Sequence, residues 1–180
     1  MQRLIFVFSL LFISIVAQDN RKKTCLHNLA INGTNLIAIY RKQLLVLGII
    51  NFNNQSSRTQ ANRLQTLKYN DLYRELQNSG IRDTTVRLIL VNEQDAANHL
   101  PGKYYDKIRL FQDNAKDGLI KKLRNHEHSA DNFIFGRCGY LVFSQERSNS
   151  SLQDGNNYKE LVRNIKLAMR SKRRCERLCS

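Results

Sequence analysis

Two short runs of apolar residues constrain the fold of this chain more than any other feature of its sequence. Residues 43–50 read QLLVLGII, and residues 86–91 read VRLILV. Runs of this length, rich in branched side chains, are typical of strands that are buried on both faces. Leucines spread over residues 61–78, with Ser79-Gly80 after them, predict a helix between the two strands. This strand–helix–strand order predicts parallel strands in a sheet with helices on its faces.

The second half of the chain predicts elements that complete this sheet. Residues 51–57 are predicted as a polar loop, and residues 92–106 carry only a Pro101-Gly102 turn signal. The remaining predicted elements are a strand at 108–111, a helix at 113–123, a hairpin of strands at 132–135 and 140–143, a polar loop at 144–156 and a last helix at 158–175. The order predicts an α/β fold with a central mixed sheet flanked by helices, which is the thioredoxin-like architecture.

The N-terminus has the layout of a secretory signal peptide. Arg3 gives a positive start, residues 4–16 are almost entirely apolar, and the small residue Ala17 follows them. The apolar stretch is too short to span a bilayer comfortably, and no second apolar run in the sequence is long enough to cross a membrane. We therefore expect a secreted, extracellular protein that does not span the membrane. The predicted organisation is a signal peptide at 1–17, a leader segment at 18–42 and one domain at 43–180.

Secretion determines how the cysteines and the sequons are interpreted. Cys25, Cys138, Cys175 and Cys179 are even in number, and outside the cell such cysteines form disulfides, here with three possible pairings. The preferred pairing is Cys25 with Cys138, which would tie the N-terminal segment to the sheet, and Cys175 with Cys179. Zinc is disfavoured because no Cys-x-x-Cys pair exists. Three Asn-x-Ser/Thr sequons predict glycosylation of exposed segments, at Asn32, Asn54 and Asn149.

Several of these segments together resemble the N-terminal domain of selenoprotein P. The segment 131–142, with Arg137-Cys138-Gly139 at its centre, resembles the Arg-Cys-Gly hairpin of that family. Residues 71–76, Gly80 and 86–92 resemble its first helix and second strand, and 175–179 (CERLC) resembles its Cys-Glu-x-x-Cys ending. Cys25 matches its N-terminal cysteine. The resemblance implies a secreted, glycosylated, thioredoxin-like protein connected with extracellular selenium handling.

The chain departs from that family at the family's reactive site. The resemblance implies a selenocysteine-x-x-cysteine pair between the first strand and the first helix. Ungapped counting places that motif either on residues 54–57 (NQSS) or on residues 59–62 (TQAN), and no cysteine lies between Cys25 and Cys138. A serine or threonine hydroxyl cannot cycle through a disulfide. We therefore expect no dithiol chemistry at this position, and no selenium bound covalently.

The family's histidine-rich run and its selenium-rich C-terminal region also have no counterpart in the sequence. Two explanations remain open for the end at Ser180. The protein is a minimal paralogue, or its reading frame was closed at a UGA codon that encodes selenocysteine.

The last predicted helix concentrates much of the excess positive charge. The chain has 29 basic and 15 acidic residues, a net charge of +14, which predicts polyanionic partners. At helical spacing, one face is apolar and should dock on the sheet, and the other face is basic. The basic residues assigned to polyanion binding are Lys159, Arg163, Lys166, Arg170, Arg173, Arg174 and Arg177. Sulfated glycans or an anionic cell surface are the expected partners, and secretion disfavours intracellular nucleic acid.

Other chemistry finds little support in the sequence. His126 and His128 are two residues apart, so on a helix they would point away from each other rather than to one metal ion. Neither a nucleophile-elbow pattern nor a phosphate-binding glycine loop is present. We expect no cofactor and no metal, and we favour a binding protein over an enzyme. The alternative is an extracellular thiol–disulfide oxidoreductase that uses Cys138 or the Cys175/Cys179 pair.

Overall fold

The computed structural model describes residues 24–25, 29–78, 80, 85–126 and 130–170. The strands of this part of the chain are β1 (Thr24–Cys25), β2 (Ala30–Ile31), β3 (Thr34–Asn35), β4 (Leu44–Ile50), β5 (Val86–Asn92), β6 (Tyr104–Tyr105), β7 (Ile108–Gln112), β8 (Ala130–Phe135) and β9 (Tyr140–Glu146). Strands β2 and β3 form a small hairpin of their own, and the other seven strands form one sheet in the order β1-β9-β8-β4-β5-β7-β6.

The sheet is mixed, and the two apolar runs of the sequence are its central parallel pair. Strand β4 runs parallel to β5, and β5 runs parallel to β7. On its other side β4 pairs with the antiparallel strand β8, so that Val46 lies opposite both Leu88 and Ile134. All seven residues of β4 are buried, which explains why the run shows no polar alternation.

Among the described residues, five α-helices cover the sheet. They are α1 (Leu36–Ile39), α2 (Gln55–Thr66), α3 (Tyr73–Asn78), α4 (Leu119–His126) and α5 (Gly155–Arg170). A π-helical segment, Leu67–Leu72, joins α2 to α3, so residues 55–78 form one continuous helical stretch. Short 3₁₀ helices occur at Gln94–His99 and Arg147–Asn149.

Alternating side chains of β4 enter two separate cores. Leu44 and Val46 pack in one cluster with buried residues of α2 and α5, such as Leu64 and Ile165. Leu45 and Leu47 pack in a second cluster with residues of α1 and α4. Helices therefore lie on both faces of the sheet, as the sequence predicts. Gly48 allows α2 to approach closely, because an added Cβ there would lie 2.6 Å from Cδ1 of Leu64.

Two helices do not begin where the sequence predicts. The helix predicted at 61–78 begins at Gln55, because the side chain of Asn54 accepts a hydrogen bond from the Ser56 N–H and caps the helix there. The helix predicted at 113–123 begins at Leu119. Asp113 stays outside it, because its carboxylate accepts hydrogen bonds from the N–H groups of Leu119 and Ile120.

Other predicted loop segments contain regular structure. Strand β9 continues to Glu146 and α5 already begins at Gly155, so the polar loop predicted at 144–156 is shorter. Gln145 can lie inside the protein because its side chain accepts a hydrogen bond from the amide of Asn132. Residues 92–106 contain the first 3₁₀ helix and the short strand β6.

The folded domain begins earlier than the predicted boundary at residue 43. Residues 29–42, assigned above to the leader segment, contain β2, β3 and α1. Their side chains Leu29, Ile31, Leu36 and Ile37 are buried in the second core cluster. Four buried apolar side chains make this segment part of the core rather than an extension of it.

Candidate functional site

Polar side chains gather beyond the carboxyl ends of the central strands. Asn51 follows β4, Glu93 follows β5, and Asp131 lies near the start of the antiparallel strand β8 beside the end of β4. They line a cleft of about 350 Å³ together with residues of the α2 N-terminus. Ligands of open α/β sheets bind in crevices at this position, so the cleft is the first candidate for a functional site.

The two stretches to which the resemblance assigned the redox motif differ in their place in the fold. Asn54 caps α2, and Ser56 and Ser57 lie in its first turn, so residues 54–57 occupy the helix N-terminus after the first parallel strand. Residues 59–62 lie farther along α2, where Gln60 and Ala61 are buried. The position at which this fold can activate a nucleophile by a helix N-terminus is therefore NQSS.

The cleft holds a network of ion pairs around Arg124. The guanidinium of Arg124 lies 2.6 Å from Oε1 of Glu93 and 2.9 Å from Oδ1 of Asp131. The side-chain amide of Asn51 donates to Oε2 of Glu93 at 2.8 Å and to the carboxylate of Asp95. Partial burial lowers the pKa of Arg124, but the hydrogen bonds to Asp131 and Glu93 outweigh burial and raise it. Arg124 is thus a permanent cation that forms ion pairs with both carboxylates.

The chemistry of this cleft is that of amides, hydroxyls and paired charges. The hydroxyl of Ser56 donates to Oδ1 of Asn54 at 2.9 Å, so it belongs to the helix cap. Ser57 lines the cleft and is half-buried. None of the described residues that line the cleft is a cysteine, so none of them supplies a thiol for disulfide exchange.

Cys25 and Cys138 are both disulfide-bonded and both half-buried. Cys25 lies in β1 opposite Tyr140 of β9, at one edge of the sheet. Cys138 lies in the turn between β8 and β9, as the hairpin prediction requires. Cys175 and Cys179 lie outside the described residues, so the preferred pairing of Cys25 with Cys138 and of Cys175 with Cys179 stays a prediction.

Helix α5 has the two faces that the sequence predicts. Leu161, Ile165 and Met169 are buried in the first core cluster, and Tyr158, Val162 and Ala168 pack against that cluster. Lys159, Arg163 and Arg170 are exposed, and Lys166 is half-buried. Arg173, Arg174 and Arg177 lie outside the described residues, and their assignment to the basic surface stays a prediction.

A groove of about 470 Å³ lies between α5 and the helical stretch before β5. We call it the α5 groove, and its lining residues are Asp71, Arg74, Tyr158, Lys159, Val162, Arg163, Lys166, Leu167 and Arg170. Its described lining contains five basic residues and a single acid. Four of the bases are residues that the sequence assigned to polyanion binding, and Arg74 is an addition from α3.

Asp71, the acid in the described lining of the α5 groove, already has a hydrogen-bond donor. The phenol of Tyr158 donates to Oδ2 of Asp71, and the guanidinium of Arg63 lies over the Tyr158 ring, 5.5 Å from its centre. Burial, and next the acceptor Asp71, raise the pKa of Tyr158. The phenol therefore stays protonated at neutral pH and covers one side of the carboxylate, which leaves the groove strongly positive.

All three predicted glycosylation sites are exposed. Asn32 lies in the β2–β3 turn with a φ of 49°, and its N–H donates to Oδ2 of Asp117 at 2.6 Å. Hydrogen bonds from Asn114 and from the Asn32 backbone lower the pKa of Asp117. Asn54 caps α2, and Asn149 lies in the second 3₁₀ helix. Their positions permit glycosylation, which stays a prediction.

Comparison with known proteins establishes the fold. No family model and no curated protein matches the sequence. Among solved structures, the chain is similar to yeast Sco1 with copper bound, with a TM-score of 0.55 and 16% identity over 78% of this chain and 86% of that one. It also matches BsSco, a member of the Sco family of cytochrome c oxidase assembly proteins, with a TM-score of 0.47 and 11% identity over 84% and 94% of the two chains.

A third match is a protein described as a putative protein disulfide isomerase from Bacteroides thetaiotaomicron, with a TM-score of 0.48 and 12% identity over 75% of this chain and 79% of that one. The sheet topology and the similarity to Sco1 define the class of protein as an α/β protein with a thioredoxin-like fold. The predicted fold class, a central mixed sheet flanked by helices, is confirmed.

Sequence reasoning missed the Arg124 network and the contribution of Arg74 to the α5 groove. A signal for the network existed in the sequence. Asn51 directly follows the strand predicted at 43–50, and Glu93 lies two residues after the strand predicted at 86–91. Polar residues at the carboxyl ends of neighbouring parallel strands meet at one edge of the sheet. Arg74 had no comparable signal, since its approach to α5 depends on how two distant helices pack.

Two further expectations concern metals and membranes. Within the described ranges, no group of three or more histidine, cysteine, aspartate or glutamate side chains is arranged to hold a metal ion. Glu127 and His128 of the His126-Glu127-His128 segment lie outside those ranges. None of the helices that the structure describes is long and apolar enough to cross a bilayer.

Proposed function

We propose that this chain is a secreted, thioredoxin-fold relative of the selenoprotein P N-terminal domain that acts by binding polyanions through the α5 groove. The resemblance to that family supports the extracellular setting and the connection with selenium handling. The positive α5 groove is the observation that carries the binding function.

The arrangement of charge along α5 supports this proposal. Lys159, Arg163, Lys166 and Arg170 are spaced by four, three and four residues, so they follow one side of the helix for about 17 Å. A linear polyanion could contact all four at once and release the counterions of each. In the sequence, no acidic residue lies four positions before or after any of the four, and Glu160 lies three positions before Arg163.

The cleft at the carboxyl ends of the strands supports binding less well. Its two carboxylates Glu93 and Asp131 are already paired with Arg124, and Asn54 and Ser56 are engaged in the helix cap. An incoming ligand would have to replace these internal contacts. The α5 groove presents four basic side chains along one helix, Lys159, Arg163, Lys166 and Arg170.

Elution from a heparin column tests the proposal. We expect the wild-type protein to be retained and the triple variant Arg163→Gln, Lys166→Gln, Arg170→Gln to elute at clearly lower salt. A plot of the logarithm of the binding constant against the logarithm of the salt concentration should become shallower. Its slope should change by about one unit for each contact with an anionic group that is removed. Glutamine retains helix propensity and most of the side-chain stem.

A matched triple variant controls for net charge alone. Lys103, Lys116 and Lys121 are exposed and do not line the α5 groove. Their substitution by glutamine removes the same charge and should leave elution close to the wild-type position. Equal elution of the two triple variants would contradict the assignment of the groove.

A thiol–disulfide oxidoreductase is the second candidate function, and the position of Cys138 favours it. Cys138 is half-buried in a turn and follows Arg137, whose positive charge would stabilise a thiolate released by reduction. The guanidinium of Arg137 also donates to the carbonyl oxygen of Met169 at 3.2 Å, which fixes it near the end of α5.

Reduction of insulin by dithiothreitol distinguishes the two functions. We expect the protein to give no acceleration of insulin precipitation and the native protein to show no titratable thiol. Acceleration that is lost in Cys138→Ser, with helix content preserved by circular dichroism, would establish the oxidoreductase instead.

A further inference from the structure

The α5 groove contains apolar side chains that binding of a sulfated polysaccharide does not require. Val162 lies in the groove and is half-buried, and Leu167 lines it with 58% of its surface exposed. Leu167 is the most exposed of the large apolar side chains that the structure describes. A single exposed leucine is ordinary on a protein surface, so its meaning depends on its neighbours.

The neighbours of Leu167 are the basic residues of the same helix. At 100° per residue, Leu167 lies about 160° from the buried Ile165 side of the turn and about 40° to 60° from Arg163 and Arg170. It therefore occupies the outermost line of α5, with an arginine one turn before it and another one turn after it. Cations beside an exposed apolar side chain are the composition of a helix face that binds the interface of an anionic bilayer.

Resting on the polyanion function proposed above, we propose that the occupant of the α5 groove is an anionic phospholipid surface. Lys159, Arg163, Lys166 and Arg170 contact the headgroup phosphates and carboxylates, and Leu167 enters the boundary of the acyl chains. Charge complementarity carries the first contact, because the described lining holds five bases and one acid. The acid in this lining, Asp71, accepts a hydrogen bond from the phenol of Tyr158, which covers one side of the carboxylate.

The position of α5 makes such a contact geometrically simple. Its inner face is anchored by Leu161, Ile165 and Met169 in the core, so the helix does not have to leave the domain to bind. Leu167 and the bases already face away from that core. The domain would lie on the membrane with α5 parallel to the surface, as interfacial helices do.

Sedimentation with lipid vesicles tests this proposal. We expect the protein to sediment with vesicles of phosphatidylcholine containing phosphatidylserine, and not with vesicles of phosphatidylcholine alone. Leu167→Gln should weaken the partition onto the mixed vesicles by about tenfold. The reason is that Leu167, once inserted at the boundary of the acyl chains, is the main apolar contact with the bilayer. The same variant should elute from heparin at the wild-type salt concentration.

Ile39→Gln is the matched control, because Ile39 is 45% exposed on α1, at the opposite face of the sheet. It should bind vesicles and heparin as the wild type does. Retention on heparin without vesicle binding, or vesicle binding unchanged by Leu167→Gln, would overturn the lipid assignment and leave the polyanion function in place. If the wild-type protein is neither retained on heparin nor bound by the mixed vesicles, both the lipid assignment and the polyanion function are overturned.

Discussion

At the scale of single residues, Tyr158 connects the core of the protein to its charged surface. Its ring packs against the first core cluster and lies under the guanidinium of Arg63, while its phenol donates to Asp71. One side chain thereby contacts an apolar core, a cation and an anion. Because burial and Asp71 raise the pKa of Tyr158, the protonated phenol is the form that the folded state favours.

The raised pKa of Tyr158 predicts a loss of stability in alkaline solution. Its stabilising contribution should be complete below the pKa of about 10 of an unfolded tyrosine and should disappear as pH rises through the higher folded pKa. Unfolding in urea at neutral pH and above pH 10 measures this. Tyr158→Phe should lose about 1 kcal/mol at neutral pH and show a smaller further loss at high pH.

Tyr104→Phe serves as the control for the other tyrosines, because Tyr104 is 57% exposed. It should follow the wild-type pH dependence. If Tyr158→Phe also follows it, the hydrogen bond to Asp71 contributes nothing specific to alkaline stability.

At the scale of elements, capping side chains decide where two helices begin. Asn54 caps α2 inside a stretch that has the composition of a loop. Asp113 lies before α4 and accepts a hydrogen bond from the Leu119 N–H, at the first residue of that helix. Apolar periodicity locates the middle of a helix, because it records the face that packs on the sheet. It contains no information on which of several nearby Asn, Asp or Ser residues accepts the first N–H.

Removal of the α4 cap should therefore be costly. Asp113 is 2% exposed and accepts from Leu119 N–H at 3.0 Å and Ile120 N–H at 3.3 Å. Asp113→Ala leaves both donors buried, and we expect a loss of about 2–3 kcal/mol in the free energy of unfolding. Thermal or urea unfolding followed by circular dichroism measures it.

Asp154 provides a comparison at a solvent-exposed helix start. It accepts from the N–H groups of Asn156 and Asn157 at 2.7 and 3.2 Å and is exposed. Asp154→Ala should cost about 1 kcal/mol, because water can replace the lost acceptor. A loss in Asp113→Ala no larger than in Asp154→Ala would show that burial of the α4 cap does not matter.

At the scale of the whole molecule, the sequence predicts the sheet better than it predicts the site. The runs at 43–50 and 86–91 are adjacent parallel strands because each is buried on both faces, a local property that the sequence displays directly. The basic face of α5 was equally easy to predict from the sequence, since its basic residues recur at helical spacing along one segment. These features depend on short stretches of chain.

The Arg124 network and the α5 groove depend on distant stretches. Asn51, Glu93, Arg124 and Asp131 come from four separate segments and meet only when the chain crosses from β4 to β5 and returns through α4 to β8. Their ionic pairing is a property of the complete topology. Residues 29–42 show the same dependence, because their four buried side chains belong to a cluster that also contains residues of α4 and β8.

The central position of β4 has a consequence for hydrogen exchange. It pairs with β5 along its whole length and with β8 over residues 45–48, and every residue from Leu44 to Ile50 is buried. No small local opening can expose such a strand to solvent, so its slowest amide protons should exchange only when the entire domain unfolds. Deuterium uptake in β4 would thus report the free energy of global unfolding of the protein.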